Sequence, residues 1–179
     1  MSYGVLNPDS IAALNVDAWN RHAVSASAVE NGNIVILSGK SATAGEGEVW
    51  TAVVPSTSAG LTNVWIAFEP EVVLTAAKYK GLDPDPRNFR NEIGDVFSVF
   101  KPQLGDILTL TADNFSAAFS ANTHANATNS TGGLKLVWGN SQTGSVFSVK
   151  YLATTYMSLG SGAIDSQRIT SYQCEVVGL

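Results

Sequence analysis

The chain has 179 residues, 45% of them hydrophobic but only 14% charged, and a net charge of −5. That length points to one domain able to bury a core without disulfide or metal staples. The scattered Lys and Arg exclude the positive footprint that nucleic acid demands and the basic amphipathic helix that a membrane surface demands.

A surface this short of charge is covered by Ser, Thr, Asn, Gly and Ala and suits packing against other protein. The single cysteine, Cys174, excludes an intramolecular disulfide. The opening "MSYGVLNPDS" has neither a basic start nor an apolar core, so no signal peptide is read there and synthesis in a reducing cytoplasm is expected. No run approaches the ~20 apolar residues of a membrane-spanning helix. The glycosylation patterns at Asn114, Asn126 and Asn129 are read as loop composition.

Residues 1–32 differ from the rest. Ile11, Leu14, Ala18 and Trp19 fall at helical spacing, with Ser10 as an N-cap and Asp17/Arg21 as an i,i+4 pair, while Asn15 and Val16 blur the pattern. The segment is expected to be an N-terminal arm, as a short helix or extended, that docks on a partner and leaves residues 33–179 as the β-rich domain. From Asn33 the signal is β. "NIVILS" (33–38) reads as a strand buried on both faces, followed by a Gly-rich loop. "VWTAVVP" (49–55) and "VWIAFEP" (64–70) are β-branched and aromatic, each stopping at proline. "EVVLTAAKY" (71–79) is a further candidate strand, and "KGLDPDPRNFRNEIGD" (80–95) a charged loop.

The stretch "GDVFSVFKPQLGDILTLT" (94–111) repeats Gly-Asp, each time before an apolar run. Glycine supplies the positive φ that turns need and aspartate accepts backbone amides. The phrase therefore reads as two strand entries, paired antiparallel around "KPQLG". In the polar tract 112–133, Phe115 and Phe119 are one helical turn apart and read as a short helix, with an exposed loop over 121–133. "LKLVW" (134–138), "VFSVKYLATTY" (146–156) and "RITSYQCEVV" (168–177) complete the strands, the last with Tyr172, Cys174 and Val176 on one face. The fold class is all-β: a single-domain β-sandwich or β-barrel with long loops.

No catalytic motif stands out. His22 and His124 lack a supporting motif and read as surface histidines. Cys174 alternates with apolar neighbours and reads as an inert buried thiol. Asp83, Asp85, Glu92 and Asp95 with Arg87 and Arg90 read as a salt-bridged loop before a calcium site, because the Asp-x-Asp-x-Asp-Gly progression is missing and the arginines compete for the carboxylates. An inter-subunit contact through Arg87 and Arg90 is the third reading. Trp50, Trp65 and Trp138 read as core residues rather than a carbohydrate platform, and Trp19 as an anchor into a partner. No cofactor or metal is expected, and the chain is expected not to be an enzyme.

The small-residue start "MSYGVLNPDS", the stretch "GDVFSVFKPQLGDILTLT" and the loop "TNSTGG" (128–133) give a chain that resembles the decoration, or cement, proteins on the heads of tailed bacteriophages. The resemblance implies a non-enzymatic virion protein made in the host cytoplasm and clamped outside the capsid. Its partners would be the major capsid protein and copies of itself, commonly as a trimer. A tail structural subunit and a carbohydrate-binding β-sandwich are the alternatives. The family has no motif to carry over residue by residue. Ile11, Leu14, Val16, Trp19, Arg87 and Arg90 are the partner-binding candidates. Deletion of residues 1–30 is expected to leave a folded domain that no longer binds capsids.

Overall fold

The computed structural model describes residues 3–7, 19–42, 47–55, 61–69, 87, 89–128, 134–142, 144, 146–159 and 167–179. The chain is all-β: among those residues there is no α-helix, and beside the strands stand only short 3-10 stretches such as Ala112–Asn114 and irregular turns. In chain order the strands are β1 (Asn20–Ser25), β2 (Ile34–Lys40), β3 (Val49–Val53), β4 (Val64–Ala67), β5 (Val96–Phe100), β6 (Ile107–Thr111), β7 (His124–Asn126), β8 (Val137–Gly139), β9 (Ser148–Leu159) and β10 (Gln167–Gly178). They form a closed barrel, β1-β3-β2-β4-β5, and an open sheet, β6-β10-β9-β7-β8.

Two cores follow from the alternation along the strands. The barrel interior holds Ala23, Val29, Val35, Ala52, Trp65, Ala67, Phe97 and Val99. A five-stranded barrel is narrow, and the three alanines leave room for Trp65 and Phe97. Arg21 closes one mouth, its guanidinium 4.2 Å from the ring centre of Trp50 and 5.2 Å from that of Trp65. Ile34, Val64, Ile66 and Phe100 point the other way, from the barrel wall onto Leu108, Leu110, Val149, Tyr172, Cys174 and Val176 of the open sheet. Both faces of β4 are therefore buried, which is why "VWIA" reads as an unbroken apolar run. At the far end of this second core Phe115 stacks on Trp138 at 4.1 Å, and Phe119, Tyr151 and Tyr172 close the aromatic cluster.

A buried polar seam ties the two halves. Asn114 Nδ2 donates to the Asn31 carbonyl at 2.7 Å, and Thr111 Oγ1 donates to Asn114 Oδ1 at 3.2 Å. The Asn31 side chain in turn holds both backbone groups of Glu69 at 2.9 Å. Gly4 and Gly32 close over Asn114 so tightly that a Cβ at either would collide with its amide nitrogen. Residues 3–7 run along β6: the Thr111 amide donates to Val5 at 3.1 Å, the Asn7 amide donates to Thr109 at 3.1 Å, and Leu6 bridges Leu110.

Several expectations are revised. β1 is a stave of the barrel, hydrogen-bonded to β3 on one side and β5 on the other. The boundary drawn at residue 32 therefore falls inside the barrel, and deleting 1–30 would remove a stave and the segment on β6. Arg21 lies on β1 and not on a helix, and Asp17 is outside the described residues. β5 and β6 do not pair. Both edges of β5 are taken by β1 and β4, so "KPQLG" carries the chain across to β10 in the other sheet. The loop expected over 121–133 contains β7, whose Ala125 and Asn126 are buried beneath β8 and β9 pairing. No helix carries Phe115 and Phe119; Phe115 bridges Leu136 and both rings pack into the aromatic cluster. The candidate strand 71–79 lies outside the described residues.

Candidate docking surface

The repeated Gly-Asp phrase is one local structure, and it occurs three times. In Glu92-Ile93-Gly94-Asp95 the Asp95 amide donates to the Glu92 carbonyl at 3.1 Å, and the Glu92 amide donates back to Asp95 Oδ2 at 3.2 Å. In Gln103-Leu104-Gly105-Asp106 the same two bonds measure 3.1 and 2.7 Å. Glu30-Asn31-Gly32-Asn33 repeats them at 3.1 and 3.0 Å, with Asn33 Oδ1 as the acceptor. The glycines have φ of +82°, +89° and +82° for Gly94, Gly105 and Gly32, the type II signature that a side chain resists. Each glycine amide also donates to a carbonyl near the end of the neighbouring strand: Gly94 to Ser25, Gly105 to Val176, Gly32 to Ala67. The turns launch β5, β6 and β2. The third copy escaped the sequence reading because Asn replaces Asp. Matching "ENGNIVILS" to "EIGDVFSVF" and "QLGDILTLT" by residue class would have revealed it.

The three turns differ in what their second residue meets. Asn31 is 3% exposed and serves the seam. Ile93 is 68% and Leu104 65% exposed, and Val96 and Ile107 beside them also reach solvent. Two pegs of the same build, each tipped by an aliphatic pair, thus stand outside the body.

The sequence-chosen residues fall differently. Ile11, Leu14 and Val16 lie outside the described residues. Trp19 is half-buried, and its carbonyl accepts the Lys101 amide at 2.8 Å. The Arg87 carbonyl accepts the Tyr3 amide at 3.0 Å, and the Arg90 guanidinium lies 5.3 Å from the Tyr3 ring centre. Arg90 also pairs with Glu92 at 2.9 Å, which raises its pKa first by the hydrogen bond and then by the carboxylate charge. The structure thus gathers Arg87, Arg90 and Tyr3 beside the first peg. Asp83 and Asp85 lie outside the described residues.

Elsewhere, His22 is exposed on β1, and His124 on β7 meets Thr123 Oγ1 at 2.9 Å through Nδ1. Cys174 is fully buried, and desolvation pushes its thiol up to about 12. Trp65 is buried, while Trp50 and Trp138 are half-buried against Arg21 and Phe115. Among the described residues no group of three or more His, Cys, Asp or Glu is placed to hold a metal. Among them, too, no helix is long and apolar enough to cross a membrane.

Set beside known families, curated proteins and solved structures, the chain finds no match in any of the three.

Proposed function

We propose that this chain is a non-enzymatic structural protein that docks its two apolar pegs onto a repetitive protein surface. In the reading its resemblance implies, that surface is the outside of a phage capsid and the partner is the major capsid protein. The observation that carries the proposal is the exposure of Ile93 and Leu104, 68% and 65%, on two turns whose backbone is already fixed. Single exposed aliphatics are ordinary. Two copies of one rigid turn, each presenting an aliphatic at the same place with a second beside it, are harder to assign to chance. A preordered tip loses little conformational entropy on binding, and many weak contacts on a lattice multiply through avidity. Ile11, Leu14, Val16 and Trp19 stay in the proposal as a second contact, tested by substitution and not by deletion of β1.

The test is co-sedimentation with capsids lacking the protein. The double variant Ile93→Asp, Leu104→Asp should melt like the wild type and lose most of its capsid occupancy. Wild-type occupancy by that variant would rule the pegs out.

A further inference from the structure

The protein closes or shortens its sheet edges, with one exception among the described residues. The barrel has no edge. Residues 3–7 cover β6. The outer strand β8 spans only Val137–Gly139. β9 and β10 are different: each runs to twelve residues, yet β7 pairs with β9 only at Ser148–Lys150, and β6 with β10 only up to Ser171. Beyond the bulge at Leu152 β6 still flanks β10 at Ser171–Gln173, and among the described residues the two strands continue alone as a ribbon from Tyr156↔Thr170 to Leu159↔Gln167. A two-stranded ribbon is marginal in water without a third strand or a packing partner.

The two free edges of that ribbon are unlike. The β10 edge is short, Gln167–Thr170, and carries Arg168, whose guanidinium lies 3.7 Å from the Tyr156 ring centre. The β9 edge, "ATTYMSL" over 153–159, has no charge and no proline, the usual devices against strand addition. Among the described residues no backbone other than β10 pairs with it after Tyr151, whose amide donates to the Thr123 carbonyl at 2.9 Å; the Thr154 hydroxyl meets the Tyr151 hydroxyl at 2.9 Å. Tyr156 is 51% exposed there.

We infer that the β9 edge pairs antiparallel with the β9 edge of a second copy, with Tyr156 on the two-fold axis. The run is complementary to itself about that residue. Thr154 would face the partner's hydroxyl residue at 158, Thr155 its methionine at 157, and Tyr156 its own equivalent. Hydroxyl pairs and aromatic pairs are favourable cross-strand neighbours, and no like charges meet. Each Arg168 guanidinium lies over its own Tyr156 ring, so the two cations flank the axis, and their repulsion, screened over ~8 Å at physiological salt, weakens the pairing as ionic strength falls. The run offers far fewer residues than the roughly 20–30 a side of a standard interface. Self-association is therefore weak in dilute solution and felt mainly where copies are held close together.

The test is a single-cysteine scan of positions 153–158 in the full chain under mild oxidation, read on non-reducing gels. Native Cys174 is buried with a raised pKa and stays silent. Tyr156→Cys should give the most dimer. A mixture of Thr154→Cys and Ser158→Cys chains should cross-link several-fold more than either alone. Yields no greater than that of Val53→Cys, an exposed barrel position, would overturn the inference, and equal yields at every position would indicate parallel stacking and overturn it too. Sedimentation velocity supplies a readout free of cysteine. The wild type should show concentration-dependent association that Tyr156→Lys abolishes, and a wild type monomeric near millimolar concentration would refute the pairing. Failure here leaves the pegs untouched, because capsid occupancy measures those separately.

Discussion

The turn at 30–33 and the turns at 92–95 and 103–106 share a backbone but not a surrounding. The first faces inward: Gly32 is covered by Asn114, Asn31 is built into the seam, and Asn33 is 2% exposed. The other two face outward, and nothing lies within 4 Å of where a Cβ on Gly94 or Gly105 would stand. The same short-range chemistry thus serves to lock the barrel to the sheet in one place and to hold up an aliphatic tip in two others. Local sequence fixes the turn; what it is used for depends on what packs around it.

The largest expected effect comes from the glycines. Gly32→Ala forces a side chain into the left-handed region, which costs about 1–3 kcal/mol. It also displaces the Asn114 amide and strands the Asn31 carbonyl, roughly another 1–3 kcal/mol. Gly94→Ala and Gly105→Ala meet only the first cost. Urea melts of the three variants should separate Gly32→Ala from the other two by at least about 1 kcal/mol. Equal losses would show that Asn114 yields freely and that the seam is not a constraint.

A smaller effect separates the side chains that close the turns. The outward copies use Asp, half-exposed, so the carboxylate accepts an amide proton while keeping its solvation. The inward copy uses Asn at a buried site beside Glu30, which itself pairs with Lys135 at 3.2 Å. Asn33→Asp places a carboxyl where burial and Glu30 both disfavour ionisation, so its folded pKa rises above the unfolded value. The variant should then approach wild-type stability at pH values below the unfolded carboxyl pKa of about 4 and lose roughly 2 kcal/mol as pH rises to 7. Asp95→Asn and Asp106→Asn, which swap in the opposite sense, should each cost about 0.5–1 kcal/mol at pH 7. Chemical melts at pH 4 and pH 7 check the slope expected of Asn33→Asp.

The same contrast marks what was legible in the sequence. Strands β2, β5, β6, β9 and β10 stand out because their apolar residues alternate or run unbroken between turn signals. β1 does not: "NRHAVS" offers one small apolar residue, Ala23, to a barrel interior that needs small residues, and so reads as polar arm. β7 was hidden for a related reason, since "HAN" is held by its neighbours on both sides and not by its own hydrophobicity. Glycine and aspartate were correctly read as turn and amide acceptor. The crossing of "KPQLG" from barrel to sheet was not readable, because it follows from closure of the barrel, a long-range fact. The exposure of Ile93 and Leu104 was equally hidden: each is a lone aliphatic in a polar turn, and nothing in its spacing tells an outward tip from a side chain folded back on the core. The partner candidates chosen from helical spacing, Ile11, Leu14 and Val16, lie outside the described residues.

The smallest effect is the one that matters most for function. Ile93→Asn and Leu104→Asn each replace a side chain that is two-thirds in solvent and stands on a turn held by its glycine and aspartate. Surface changes of this kind usually move stability by no more than about 0.5 kcal/mol in either direction. Ile93 occupies the place of Asn31, so asparagine is already compatible with that turn. If either variant lost more than about 1 kcal/mol in a urea melt, the tip would be packed on this chain itself, and the docking role drawn from its exposure would fail. An unchanged melt leaves the aliphatic tip with no task inside the monomer.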